Sequence, residues 1–194
     1  MQVEIKDGTG SGNRAKINKN NRIETFSVTE NKLADVSKRE GRSFLLTSDF
    51  ISLTTNGSFN GCLYIKNTDP SKLIFIDKIR ICGTGSSMGS LQCKFYKNPT
   101  TGTLISDANS GNAIPANLSS SELFPGLVYA ASADGKTITD GDQMSQFTIH
   151  LPGHTIQEYQ GCLLLTGDTA LGIALKPSYS SEVCIEVQCW IENK

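Results

Sequence analysis

Long apolar runs are missing from this chain of 194 residues. Apolar runs such as Leu73–Ile76 and Cys162–Leu165 are far too short to cross a bilayer. Charge imbalance is missing too. The formal net charge is −1, which gives no electrostatic footprint for nucleic acid or an anionic membrane. Met1–Asp7 is polar and charged, so no signal peptide is read there, and synthesis in a cytoplasm without export by that route is expected. Aromatic residues make up 7%, with a single tryptophan. None of the six cysteines forms a CxxC pair, so a zinc or redox motif is not indicated. All six (Cys62, Cys82, Cys93, Cys162, Cys184 and Cys189) are expected to be reduced strand residues.

Catalytic constellations are equally scarce. The two histidines, His150 and His154, sit in His-Leu-Pro-Gly-His, with no acidic or cysteine ligand close in sequence. They read as a solvated strand end. Ala130–Thr137 is a near miss for the Walker pattern, with alanine in place of the first glycine and no helix signal after it. Asp134-Gly135 there reads as a tight turn. Asp140 and Asp142 flank Gly141 but are too few for a calcium loop. No Gly-x-Ser-x-Gly elbow occurs in a strand–helix context. Paired acids for glycoside hydrolysis cannot be picked from the pattern. No catalytic residue, metal ligand or cofactor site is assigned, and an enzyme is not expected.

What the chain does have is strand alternation. In Glu182–Glu192 the odd positions Val183, Ile185, Val187, Cys189 and Ile191 are apolar. The even positions are mostly polar, which is the period-two pattern of a strand with one buried face. The same pattern puts Leu63 and Ile65 inside in Gly61–Asn67, and Leu91, Cys93 and Phe95 inside in Leu91–Lys97. It does so again for Phe147, Ile149 and Leu151 in Gln143–Leu151, and for Leu171, Ile173 and Leu175 in Ala170–Lys176. Phe44–Leu46, Phe50–Thr54, Lys72–Cys82 and Gly161–Thr166 add further strands. Asn98–Ile138 is weaker and reads as excursions over the outer surface. Eight or nine strands separated by turn residues predict an all-β fold, a two-sheet antiparallel sandwich of jelly-roll type over 43–194.

Residues 1–42 read differently, as an attachment arm and connector. Val3-Glu4-Ile5, Arg14–Ile17 and Arg22–Val28 are short strand signals, with a glycine-rich turn over Asp7–Asn13 and another turn over Asn18–Asn21. Few residues there are large and apolar, so the segment cannot close a core alone and is expected to fold against a partner. Ser27–Glu40 is the one predicted helix, a short connector with Thr29 as a candidate cap.

Several stretches, in this order, resemble a family of tailed-bacteriophage virion structural proteins. They are Ile5–Gly12, Ala15–Asn18, Asn20–Arg22 and Ser27–Glu30, then Tyr64–Asn67, Tyr96–Pro99 with Ile105–Asp107, and Leu171–Ile173 with Lys176-Pro177. The N-terminal stretch is the most specific. The resemblance implies a jelly-roll-like sandwich behind an N-terminal segment, in an assembled particle, and brings no catalytic residues. The expected role is a capsid-associated decoration, cement or head-fibre component of the virion, made in the host bacterial cytoplasm. Its partners would be major capsid or other head or tail components. The alternative is a tail-associated receptor- or glycan-binding module. Ile5, Lys6, Arg14, Lys16, Ile17 and Arg22 are the candidate particle-attachment residues. Ile74 and Ile76, read as lying on the second face of their strand, join Cys184 and Trp190 as a candidate subunit interface. They motivate a homo-oligomer, a trimer by analogy with viral jelly rolls.

Overall fold

The structure is a computed structural model. It describes residues 41–85, 88–100, 102–103, 113–117 and 119–194, and the backbone of short strands at 5–6, 14–17 and 23–24. The chain divides into two compact units, Met1–Asn31 and Lys32–Lys194. In the first, strands β1 (Ile5–Lys6), β2 (Arg14–Ile17) and β3 (Ile23–Glu24) form an antiparallel sheet in that order. The predicted helix Ser27–Glu40 lies outside the described residues.

The second unit is all-β, two antiparallel five-stranded sheets packed as a sandwich. Its strands are β4 (Ser43–Leu53), β5 (Asn60–Asn67), β6 (Lys72–Thr84), β7 (Gly89–Lys97), β8 (Ala113–Pro115), β9 (Gly126–Ala130), β10 (Asp142–Leu151), β11 (Gly153–Leu165), β12 (Ala170–Pro177) and β13 (Ser181–Asn193). One sheet runs β11-β6-β13-β4-β8 and the other β10-β7-β12-β5-β9. Successive strands alternate between the sheets except β9 and β10, which lie at opposite edges of one sheet, so no consecutive strands among β4–β13 are hydrogen-bonded to each other. Both inner faces therefore draw on the whole length of this unit, and the core between them is one cluster.

Strand β13 lies inside its sheet, between β4 and β6. Val183, Ile185, Val187, Cys189 and Ile191 are all buried, as the alternation predicts. Strand β6 behaves differently. Lys78 pairs with Gln188 but Ile76 pairs with Cys189, so Asp77 is an extra residue, a β-bulge. The bulge resets the alternation. Ile74 and Ile76 point into the core on one side of it, and Ile79 and Ile81 on the other, all fully buried. A second bulge interrupts β4, where Ser48 and Asp49 together oppose Ile185. Asp49 takes a left-handed φ of 55°. There the Ile185 N–H donates to Ser48 Oγ at 2.9 Å, so a hydroxyl replaces the missing ladder carbonyl.

The sheets are also joined by a polar bridge. Asn67, the last residue of β5, is completely buried. Its Nδ2 donates to the carbonyls of Lys72 (2.9 Å) and Leu165 (3.0 Å), at the start of β6 and the end of β11 in the opposite sheet. Its Oδ1 accepts from the Asp69 N–H at 3.0 Å, closing the Asp69-Pro70 turn.

Candidate functional site

The candidate attachment residues fall on the small N-terminal sheet. Ile5 is opposite Ala15 and Lys6 opposite Arg14. Lys16 is opposite Glu24 and Ile17 opposite Ile23. Arg22 lies outside the described residues.

The four candidate interface residues do not form one exposed patch. Ile74 and Ile76 are core residues, because the Asp77 bulge turns them inward; continuous alternation along β6 would have placed them outside. Trp190 is on the outer face as read, but only 5% exposed. Its ring stacks on Phe75 with centroids 5.3 Å apart and planes 6° apart. The bulge of β11, where Tyr159–Cys162 oppose the single residue Asp77, brings Gly161 over the indole. A Cβ at Gly161 would lie 2.3 Å from that ring, and its φ of +78° also favours glycine. Trp190 is thus covered by its own chain. Cys184 remains half-buried on the outer face, opposite Cys82.

All six cysteines are unbridged. Burial drives the thiol pKa values of Cys62 and Cys189 upward, and pushes Cys93 up to about 12. These three thiols should therefore be inert, whereas Cys162 is exposed. Brief native treatment with iodoacetamide is expected to label Cys162 first, and Cys62, Cys93 and Cys189 only after unfolding. A disulfide seen by non-reducing mass spectrometry of the native protein would contradict the thiol assignment.

His150 and His154 are both exposed, on strands of different sheets. Among the described residues no group of three His, Cys, Asp or Glu is arranged to hold a metal. The near-Walker stretch is the end of β9 followed by a turn, with Gly135 at φ 79°. The Gly135 N–H donates to Asn60 Oδ1 at 2.9 Å, fixing the turn against β5.

The feature with the most binding chemistry is a cleft of about 390 Å³ on the outer face of the β10-β7-β12-β5-β9 sheet. Tyr64 of β5 and Tyr129 of β9 are register partners. Their rings stack with centroids 6.1 Å apart and planes 19° apart. Lys66 Nζ lies 3.4 Å from Asp168 Oδ1 at the rim. Burial raises the Tyr64 phenol pKa, with Lys66 opposing, so the hydroxyl stays protonated. The opposite wall is the chain leaving β7. Asn98 Oδ1 accepts from the Ala170 N–H at 2.9 Å, which fixes that wall. Pro99 fills a gap above Gly172, where a Cβ would sit 2.7 Å from the ring Cγ. Thr100 and Thr139 then exchange backbone hydrogen bonds of 2.8 and 3.1 Å. The sequence pattern places Tyr64 on the polar face of its strand. It does not reveal Tyr129 as the partner, because the pairing of β5 with β9 spans a weakly patterned stretch. A larger depression of about 490 Å³, lined by residues such as Ser52, Thr54, Thr84 and Ser181, has no aromatic floor. Compared with known proteins, the chain matches no family model and no curated protein.

Proposed function

We propose that this chain is a bacteriophage virion structural protein, a capsid-associated decoration, cement or head-fibre component that docks through its N-terminal segment. The observation that carries the reading is the division of labour along the chain. Lys32–Lys194 has its own closed core, whereas the strands among the described residues of Met1–Asn31 are two, four and two residues long. A sheet of such strands is too small to be stable alone and suits a segment completed by a partner. The strand orders β11-β6-β13-β4 and β10-β7-β12-β5 support the jelly-roll type that the resemblance implies. The role is structural and not catalytic, in a virion assembled in the bacterial cytoplasm. Among the described residues no helix is long and apolar enough to cross a membrane. Labelled chain mixed with purified particles that lack it should pellet with them to a saturable copy number. A chain that stays in the supernatant contradicts docking.

The working form is proposed to be a homo-oligomer, with a trimer as the analogy with viral jelly rolls suggests. The surface available is no longer the one built on Ile74 and Ile76. Leu45 and Ile114 are register partners on the outer face of β4 and β8, and Phe50 of β4 is 68% exposed. Burying these side chains against further copies of the chain would remove apolar surface from water at about 25 cal/mol per Å². Sedimentation equilibrium at micromolar concentration is expected to give three chains, and Phe50→Ser to shift the balance towards one. A wild-type monomer contradicts the assembly.

The second reading, a tail-associated receptor- or glycan-binding module, is favoured by one observation, the tyrosine-floored cleft.

A further inference from the structure

We propose that the cleft between Tyr64, Tyr129, Leu127 and Pro99 binds a neutral saccharide unit. The inference deepens the glycan-binding reading and rests on it; it is independent of particle docking. A sugar ring has an apolar C–H face and a rim of hydroxyls. A site for it needs an aromatic or aliphatic floor with a few placed donors and acceptors.

The cleft has these parts. The register of β5 with β9 sets the two tyrosine rings side by side, 6.1 Å between centroids, as a nearly continuous wall. Tyr64 is nearly buried and backs the half-buried Tyr129, which offers the accessible surface. Leu127 and Pro99 extend the apolar lining. Lys66 supplies a donor and Asp168 an acceptor, 3.4 Å apart. Both are solvated, with side-chain exposures of 32% and 87%, so redirecting them onto hydroxyls costs little. The formal charges of Lys66 and Asp168 sum to zero, and Asp140 is hydrogen-bonded to Thr100 of the opposite wall, so the lining holds no excess positive charge to favour an anion, and its aromatic and aliphatic surface suits an uncharged ring. The volume, about 390 Å³, is at the small end for ligand sites and admits a mono- or disaccharide unit. The wall is preformed, because Asn98 is tied to Ala170 and Pro99 is wedged against Gly172.

The test uses the full chain and saturation-transfer NMR against glucose, galactose, mannose, N-acetylglucosamine, their β-linked disaccharides and, as the charged comparison, sialyllactose, each at about 10 mM. At least one is expected to bind. Tyr129→Ala should weaken it at least ~10-fold, while Tyr129→Phe, which keeps the ring, stays within ~3-fold. Tyr179→Ala, at an exposed aromatic outside the cleft, should leave binding unchanged. Binding that survives Tyr129→Ala overturns this site and leaves the glycan-binding reading standing. Binding to no member of the panel overturns both, and the pelleting assay reads particle docking separately. Preference for a sialylated over a neutral saccharide also overturns the proposal.

Discussion

Replacing Asn67 by alanine is expected to destabilise the sandwich by about 3 kcal/mol or more. Three side-chain hydrogen bonds vanish together, to the carbonyls of Lys72 and Leu165 and from the Asp69 N–H. Asn67 itself is completely buried and its bond to the Leu165 carbonyl is fully enclosed, so water does not simply take the place of the lost amide there. Each buried group left unsatisfied costs about 1–3 kcal/mol. For a domain of this size that corresponds to a fall in melting temperature of roughly 6–12 °C. Asn67→Asp should be worse still at neutral pH, because it sets a carboxylate against two carbonyls that require donors. Thermal unfolding followed by circular dichroism reads both variants. A shift below about 2 °C for Asn67→Ala would mean that the bridge between the sheets contributes little.

The second large effect concerns attachment. Deleting residues 1–30 should leave a folded sandwich, because the core cluster belongs to the Lys32–Lys194 unit. It should abolish pelleting with particles. The same deletion is expected to leave saccharide binding intact, since Tyr64, Tyr129, Lys66 and Asp168 all lie in the larger unit. A truncated chain that decorates particles normally would show that docking resides elsewhere, whatever the N-terminal sheet does.

Strands were legible in the sequence where one face is buried and the other wet. Strand β13 alternates without interruption, and so do the inner positions of β7, of β12 and, beyond the bulge at Met144, of β10 from Ser145 to Leu151. The pattern failed where the chain itself departs from period two. Asp77 shifts β6 by one residue, which moved Ile74 and Ile76 from an expected surface into the core. The Ser48–Asp49 bulge makes one strand of what read as two, Phe44–Leu46 and Phe50–Thr54. A bulge leaves no mark in a hydrophobicity pattern beyond a change of phase, and a change of phase also looks like two separate strands.

Strand β11 was longer than its pattern for a different reason. Only Gly161–Thr166 read as a strand, yet it runs from Gly153 to Leu165. It is the edge of its sheet, and Thr155 and Gln157 stand opposite the core residues Ile81 and Ile79. An edge strand with polar residues on both faces carries little alternation, and that polarity also discourages pairing with another chain. The cleft was illegible because its aromatic wall depends on pairing. Tyr64 and Tyr129 are 65 positions apart in sequence, and only the register of β5 against β9 makes them neighbours.

We propose this chain as a structural part of a virion, held there by its N-terminal segment. Electron cryomicroscopy of purified particles tests it most directly. Symmetry-related density is expected that fits the two five-stranded sheets and joins a capsid or other head protein through residues 1–30. Particles whose fully assigned density contains no copy of this chain would contradict it.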